Sequence, residues 1–152
     1  MLQSDAHFTA PTLFEGYKAS RTCALSAGCQ IFMVSANVSR LETVLKFFLT
    51  CGFTVCVFES LQDAHLGIEH ALRCDLLFLD ADTCADVMSA HDMLVRLQAV
   101  VPKLPVIVGS ASVDTGRNNP VLNYLLNTVV CLPTDDRKLL NAVAVAVSNS
   151  LR

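Results

Sequence analysis

The chain has 152 residues, a length that suits one domain able to bury its own core. Hydrophobic residues make up 53% of it and charged residues 16%, which excludes an intrinsically disordered chain. A formal net charge of −3 and a pI near 5.7 exclude the basic footprint of a nucleic-acid-binding domain, and a mean hydropathy of +0.48 points to apolar surface covered by a partner.

Residues 1–28 carry no sustained period and read as an arm or linker, in which Phe8, Leu13, Phe14 and Tyr17 are available to dock on the domain or on a neighbour. From Gln30 onward apolar runs alternate with helical patterns. "QIFMVSA" is a first buried strand. "SRLETVLKFFLTCG" places Leu41, Val44, Leu45, Phe48 and Leu49 at helical spacing, with Ser39 as N-cap and Gly52 as the stop. "FTVCVFES" is a second strand, and "LQDAHLGIEHALR" a helix with Leu61, Ala64, Ile68, Ala71 and Leu72 on one side. "CDLLFLDAD" is the third strand, followed by a helix that runs to Pro102.

"LPVIVGSAS" is the fourth strand. "SVDTGRNNP" is rich in turn formers, so the short helix expected from Pro120 through "PVLNYLLN" is preceded by a remodelled loop. "TVVCLP" is the fifth strand. The last segment, "TDDRKLLNAVAVAVSNSLR", contains a strand-like alternation. Thr134 as N-cap, acids at Asp135 and Asp136, and the spacing of Leu140, Val143, Ala144, Val147 and Leu151 favour a helix. The predicted fold class is α/β, a doubly wound five-stranded parallel sheet, (βα)5, over residues 29–152. Right-handed crossovers put its functional edge at the carboxyl ends of the strands.

That edge selects the candidate residues: Ser35 and Ala36 after the first strand, Asp80 and Asp82 after the third, Ser110 after the fourth, and Leu132 and Pro133 after the fifth. An apolar strand ending in Asp, another ending in Ser-Ala and a fifth leading into X-Pro resemble the flavodoxin-like receiver domain of bacterial response regulators. The likeness covers residues 30–152, with 30 residues from Asp80 to Ser110 and 22 from Ser110 to Leu132. No single motif in it is specific, and the ordered set carries the match.

The resemblance implies a phosphoacceptor aspartate at Asp80 and a phosphoryl-binding hydroxyl at Ser110. In that family an acidic pair at the first strand end holds Mg²⁺. A lysine at the fifth strand end pairs with the phosphoryl oxygens, and an aromatic residue on the fifth strand switches rotamer. Here the acidic pair is replaced by Ser35 and Ala36, the lysine by Leu132, and the switch aromatic by Val129, while Pro133 is retained. Phosphoryl transfer relies on charge neutralisation, so these losses predict a degenerate, non-catalytic pseudo-receiver with neither metal nor cofactor. Asp80 is then a strand-end residue that caps the next loop.

The remaining chemistry-bearing residues have plainer readings. The seven cysteines are odd in number and scattered without any C-x-x-C, which predicts reduced structural thiols and a cytoplasmic protein. No segment has the basic and apolar regions of a leader or the length of a membrane span. His65 and His70 are five apart and share no helix face, and His7 and His91 are isolated.

The expected function is phosphorylation-independent signalling or transcription regulation. A homodimer would form through the fourth helix, fifth strand and fifth helix, the last offering small Ala142, Ala144 and Ala146 for close approach. Two other readings stay open. One is a working phosphoacceptor at Asp80 whose unusual metal shell draws on Asp82, Glu59 or Asp114. The other is a small-ligand domain with its ligand over Ser35, Asp80 and Ser110.

Overall fold

Every apolar run read as a strand lies in one sheet of the computed structural model, which describes residues 11–16, 25, 28–83, 87–111 and 129–150, with backbone alone at 87–91. The strands are β1 (Thr12–Phe14), β2 (Gln30–Val34), β3 (Thr54–Phe58), β4 (Leu76–Asp80), β5 (Val106–Ser110) and β6 (Val129–Cys131). Their order is β1-β3-β2-β4-β5-β6. The five predicted strands, β2 to β6, are mutually parallel, with Ile31 beside Val55 and Leu76, Phe78 beside Ile107, and Gly109 beside Val130. The chain turns back on itself at β2, so the switch point of the sheet lies between the carboxyl ends of β2 and β4.

Alternate strand residues feed two cores. Ile31, Met33, Val55, Leu76, Phe78 and Ile107 face helix α1 (Glu42–Thr50) and helix α4 (Asp136–Ser150). Phe32, Val34, Cys56, Leu77, Leu79 and Val108 face helix α2 (Leu61–Glu69) and helix α3 (Val87–Val100). Burial on both faces explains why the parallel strands are continuous apolar runs. Large side chains such as Phe32, Phe48 and Phe78 have no exposure, and each stabilises the fold by roughly 1.5–3 kcal/mol.

The helix ends correct several expectations. Ser39 does not cap α1: it lies inside a 3-10 turn, Val38–Leu41, and its hydroxyl donates to Asn37 Oδ1 at 2.6 Å. Gly52 does end that helix, at φ +86. Helix α2 is capped by Ser60, whose Oγ accepts from the Asp63 N–H at 3.1 Å, and it stops at Glu69 short of Ala71, which takes φ +65. At α4 the cap is Asp135, which accepts from the Lys138 N–H at 2.9 Å. Thr134 lies one residue too early, and among the described residues its buried hydroxyl has no partner. The buried face of α4 is Leu139, Ala142, Val143 and Ala146, so two of the three small residues pack on the sheet and only Ala144 is exposed.

The segment read as an arm supplies a sixth strand. β1 pairs antiparallel with β3, Thr12 beside Val57 and Phe14 beside Val55, and Phe14 packs on the core while Leu13 stays exposed. The approach is close: a Cβ on Gly16 would lie 2.3 Å from the Phe53 carbonyl oxygen and 2.6 Å from the Gly52 carbonyl carbon. Backbone atoms cannot yield as a side chain tip can. Gly16→Ala is therefore expected to detach β1 and leave the rest of the sheet folded. Hydrogen exchange should accelerate at alternate amides of 54–58 with little change in 76–80, and unchanged exchange would show that the docking tolerates a methyl group.

Among the described residues no helix is long and apolar enough to cross a membrane. The short helix expected at 120–127, the turn-rich stretch before it, Phe8, Tyr17, His7, Cys84 and Asp114 lie outside the described residues, as does the side chain of His91.

Candidate functional site

Parallel strands that end together leave loop backbone and polar side chains at one edge, and at the switch point the diverging loops leave a crevice. β2 delivers Ser35 to one side of that crevice and β4 delivers Asp80 to the other. Both are buried, Ser35 at 2% exposure and Asp80 at 0%. Ser35 Oγ donates to Asp80 Oδ2 at 2.9 Å and accepts from the Asn37 N–H at 3.1 Å. Asp80 Oδ1 accepts from the Asp82 N–H at 3.2 Å, the short-range bond expected of a strand-end aspartate. A second link crosses behind it: Thr83 Oγ1 donates to the Asp80 carbonyl at 3.1 Å and lies 3.2 Å from the Ala36 N–H, which donates to it.

Asp82 is the hub of the outer half. It stands on a 3-10 turn, Ala81–Thr83, that carries the chain back over the edge. Its Oδ1 accepts from Ser110 Oγ at 2.7 Å and its Oδ2 from the Ala111 N–H at 2.7 Å. The same Oδ2 meets Arg40 Nη2 at 2.7 Å, and Arg40 Nε stands 3.5 Å from Asp80 Oδ2. One guanidinium thus bridges the two carboxylates. Arg40 projects from the Val38–Leu41 turn, and the buried Leu41 beside it anchors that turn to the core.

The electrostatics of the two acids differ. Burial pushes the Asp80 carboxyl above its ordinary value, against the Ser35 hydroxyl and the Arg40 charge, which favour the ionised form. Burial also acts upward on Asp82, but the Ala111 N–H, the Ser110 hydroxyl and Arg40 together outweigh it and hold its carboxyl below the usual range. Arg40 is pushed up in turn, first by its hydrogen bond to Asp82.

The structure therefore brings together Ser35, Ala36, Asp80, Asp82 and Ser110. It sends the fifth-strand residues elsewhere. Leu132 is 8% exposed and belongs to the core beneath the sheet, where its Cδ1 would lie 3.2 Å from a Cβ on Gly109. Val129 is half-buried against the opposite core, and Pro133, joined to Leu132 by a cis peptide bond, is exposed. Glu59 is exposed, and among the described residues no group of three His, Cys, Asp or Glu side chains is placed to hold a metal ion. His65 pairs with Glu69 at 2.8 Å, and His70 Nδ1 lies 2.8 Å from the Leu66 carbonyl, so both are used within their own helix.

Arg40 is the residue that sequence reasoning missed. A signal existed, since two carboxylates at a buried strand end call for a nearby cation. The sequence places Arg40 just six residues past the end of β2, in the loop that shares the crevice with Asp80.

The strand order and the site at the switch point define a doubly wound α/β protein of the flavodoxin-like class. Neither a protein-family profile nor a curated protein sequence matches the chain. Solved structures do match. A CheY-like receiver domain protein of Methanospirillum hungatei superposes with a TM-score of 0.62 at 16% identity, over 82% of this chain and 98% of that one. A response regulator of Thermotoga maritima gives 0.59 at 19% identity, over 80% and 98%. A chemotaxis response regulator of Vibrio cholerae gives 0.60 at 16% identity, over 79% and 99%. The chain has the fold of response-regulator receiver domains.

Proposed function

We propose that this chain is a regulatory receiver-like domain of a signalling protein, acting through protein contact without phosphoryl transfer at Asp80. The observation that carries the reading is the state of the acid that would accept the phosphoryl group. Asp80 has no exposed surface, its two oxygens are engaged by Ser35 and by the Asp82 N–H, and an internal guanidinium stands against it. An incoming phosphoryl group brings negative oxygens that need a metal and a lysine to offset them. The lysine position holds Leu132, whose side chain belongs to the core.

The contact we favour is self-association through β6 and α4. A groove of ≈ 230 Å³ runs between them, lined by Val129, Cys131, Lys138, Asn141 and Val145, and a mean hydropathy of +0.48 agrees with a covered surface. The test is to incubate the purified protein with acetyl phosphate and Mg²⁺ and record its intact mass, with Asp80→Ala as control. The expected result is no phosphoryl adduct, together with concentration-dependent association in sedimentation. An adduct absent from Asp80→Ala would make Asp80 a working phosphoacceptor instead. A small molecule retained in native mass spectrometry would move the reading to a ligand-binding domain.

A further inference from the structure

We infer that Arg40 is a built-in counter-cation, which holds by a covalent tether the place between Asp80 and Asp82 that a free divalent ion would otherwise take. The inference rests on the reading that the site is disarmed and says what keeps it so.

Three observations converge on it. The guanidinium meets both acids at once, Nη2 to Asp82 Oδ2 at 2.7 Å and Nε to Asp80 Oδ2 at 3.5 Å, so its charge lies between the two carboxylates. The turn that presents it is braced from both sides. Ser35 Oγ accepts from the Asn37 N–H while donating to Asp80, and Leu41 is sunk in the core, so Arg40 is aimed by backbone rather than by chance contact. The surrounding donors then complete the shell: Ser110 and the Ala111 N–H take the lone pairs of Asp82 that the arginine leaves.

Hard divalent ions need several oxygen ligands in a defined geometry and part with their water reluctantly. A tethered guanidinium at the shared oxygens excludes them without having to match their affinity, because it is always present. The arrangement links the turn after β2 to the ends of β4 and β5 by one charge. The charge comes from the chain and does not vary with the surroundings, whereas a bound ion would come and go.

The experiment uses the whole chain and Mn²⁺ as probe. The thermal midpoint of the wild type should be indifferent to millimolar Mn²⁺. Arg40→Gln should melt roughly 5 °C lower, since two acids lose their shared cation, and Mn²⁺ should restore most of that difference. Arg40→Lys keeps a charge at the position and should stay insensitive to the ion. Adding Asp82→Ala to Arg40→Gln should abolish the rescue. If Arg40→Gln does not fold unaided, refolding with and without Mn²⁺ gives the same comparison.

An Arg40→Gln midpoint that ignores Mn²⁺ would overturn the inference, as would a wild type stabilised by Mn²⁺ as much as the variant. Neither result touches the phosphoryl-adduct experiment on the wild type, so the two readings fail separately.

Discussion

Replacing Asp82 by alanine should lower stability by about 2–3 kcal/mol, or roughly 5–10 °C in thermal midpoint. Its carboxylate receives Arg40, Ser110 and the Ala111 N–H, each at 2.7 Å. Removing it leaves Ser110 Oγ, on a residue only 2% exposed, without that acceptor, and leaves Arg40 against Asp80 alone. The Asp82 side chain is 21% exposed and that of Arg40 30%, so water replaces part of what is lost and the loss stays below that of three full charge-assisted bonds.

The pH dependence has a definite sign. The folded Asp82 carboxyl lies below its ordinary 3.8, so the contribution of its ionised form is complete above that value and is lost as pH falls through the folded one. Urea titrations should find a constant gap between wild type and Asp82→Ala from about pH 5 to 7, narrowing below about pH 4. A gap that widened with acid would mean that Asp82 is not the stabilised anion described here.

Placing a lysine at position 132 should harm the fold. Leu132→Lys is expected to cost about 3 kcal/mol in chemical denaturation, from the lost burial of the leucine and the strain of bringing an ammonium out to water. Leu132 is a core residue that shares space with Gly109 and, across it, with Phe78, whose Cζ would lie 2.7 Å from a Cβ at 109. A side chain so placed has been absorbed into the packing, and a cation there has to climb out through it. Acetyl phosphate should still give no adduct, because Arg40 still stands against Asp80 and residues 35 and 36 carry no carboxylate. A Leu132→Lys protein within about 0.5 kcal/mol of wild type would show that position 132 opens to the site rather than to the core.

The parallel sheet was legible because strands buried on both faces write themselves as continuous apolar runs, and "QIFMV", "TVCVF", "LLFLD" and "VIVGS" each match a strand. Asp80, Ser35 and Ser110 were legible as the first polar residues after such runs. β1 was not, because three residues are too few to show a period and its position depends on a neighbouring strand. The caps at Ser39 and Thr134 were misplaced by local geometry. A 3-10 turn moved the first helix start on to Glu42, and two neighbouring residues of the last segment, Thr134 and Asp135, were both chemically able to cap. The alternating "AVAVAV" is helical because its cap and its buried face of Leu139, Ala142, Val143 and Ala146 outweigh the local pattern. Arg40 escaped because a long flexible side chain announces its charge and not its partner, which only the fold chooses.

The sixth strand bears on solubility. β3 reads Thr54-Val55-Cys56-Val57-Phe58, without charge or proline, and it would be the outermost strand of the sheet but for the three residues of β1. Bare, such an edge is a template on which further chains can stack. β1 occupies that template with a strand too short, and too exposed at Thr12 and Leu13, to serve as a good one itself. The three paired residues of β1 thus cover an edge that, left bare, would favour stacking of one chain on the next.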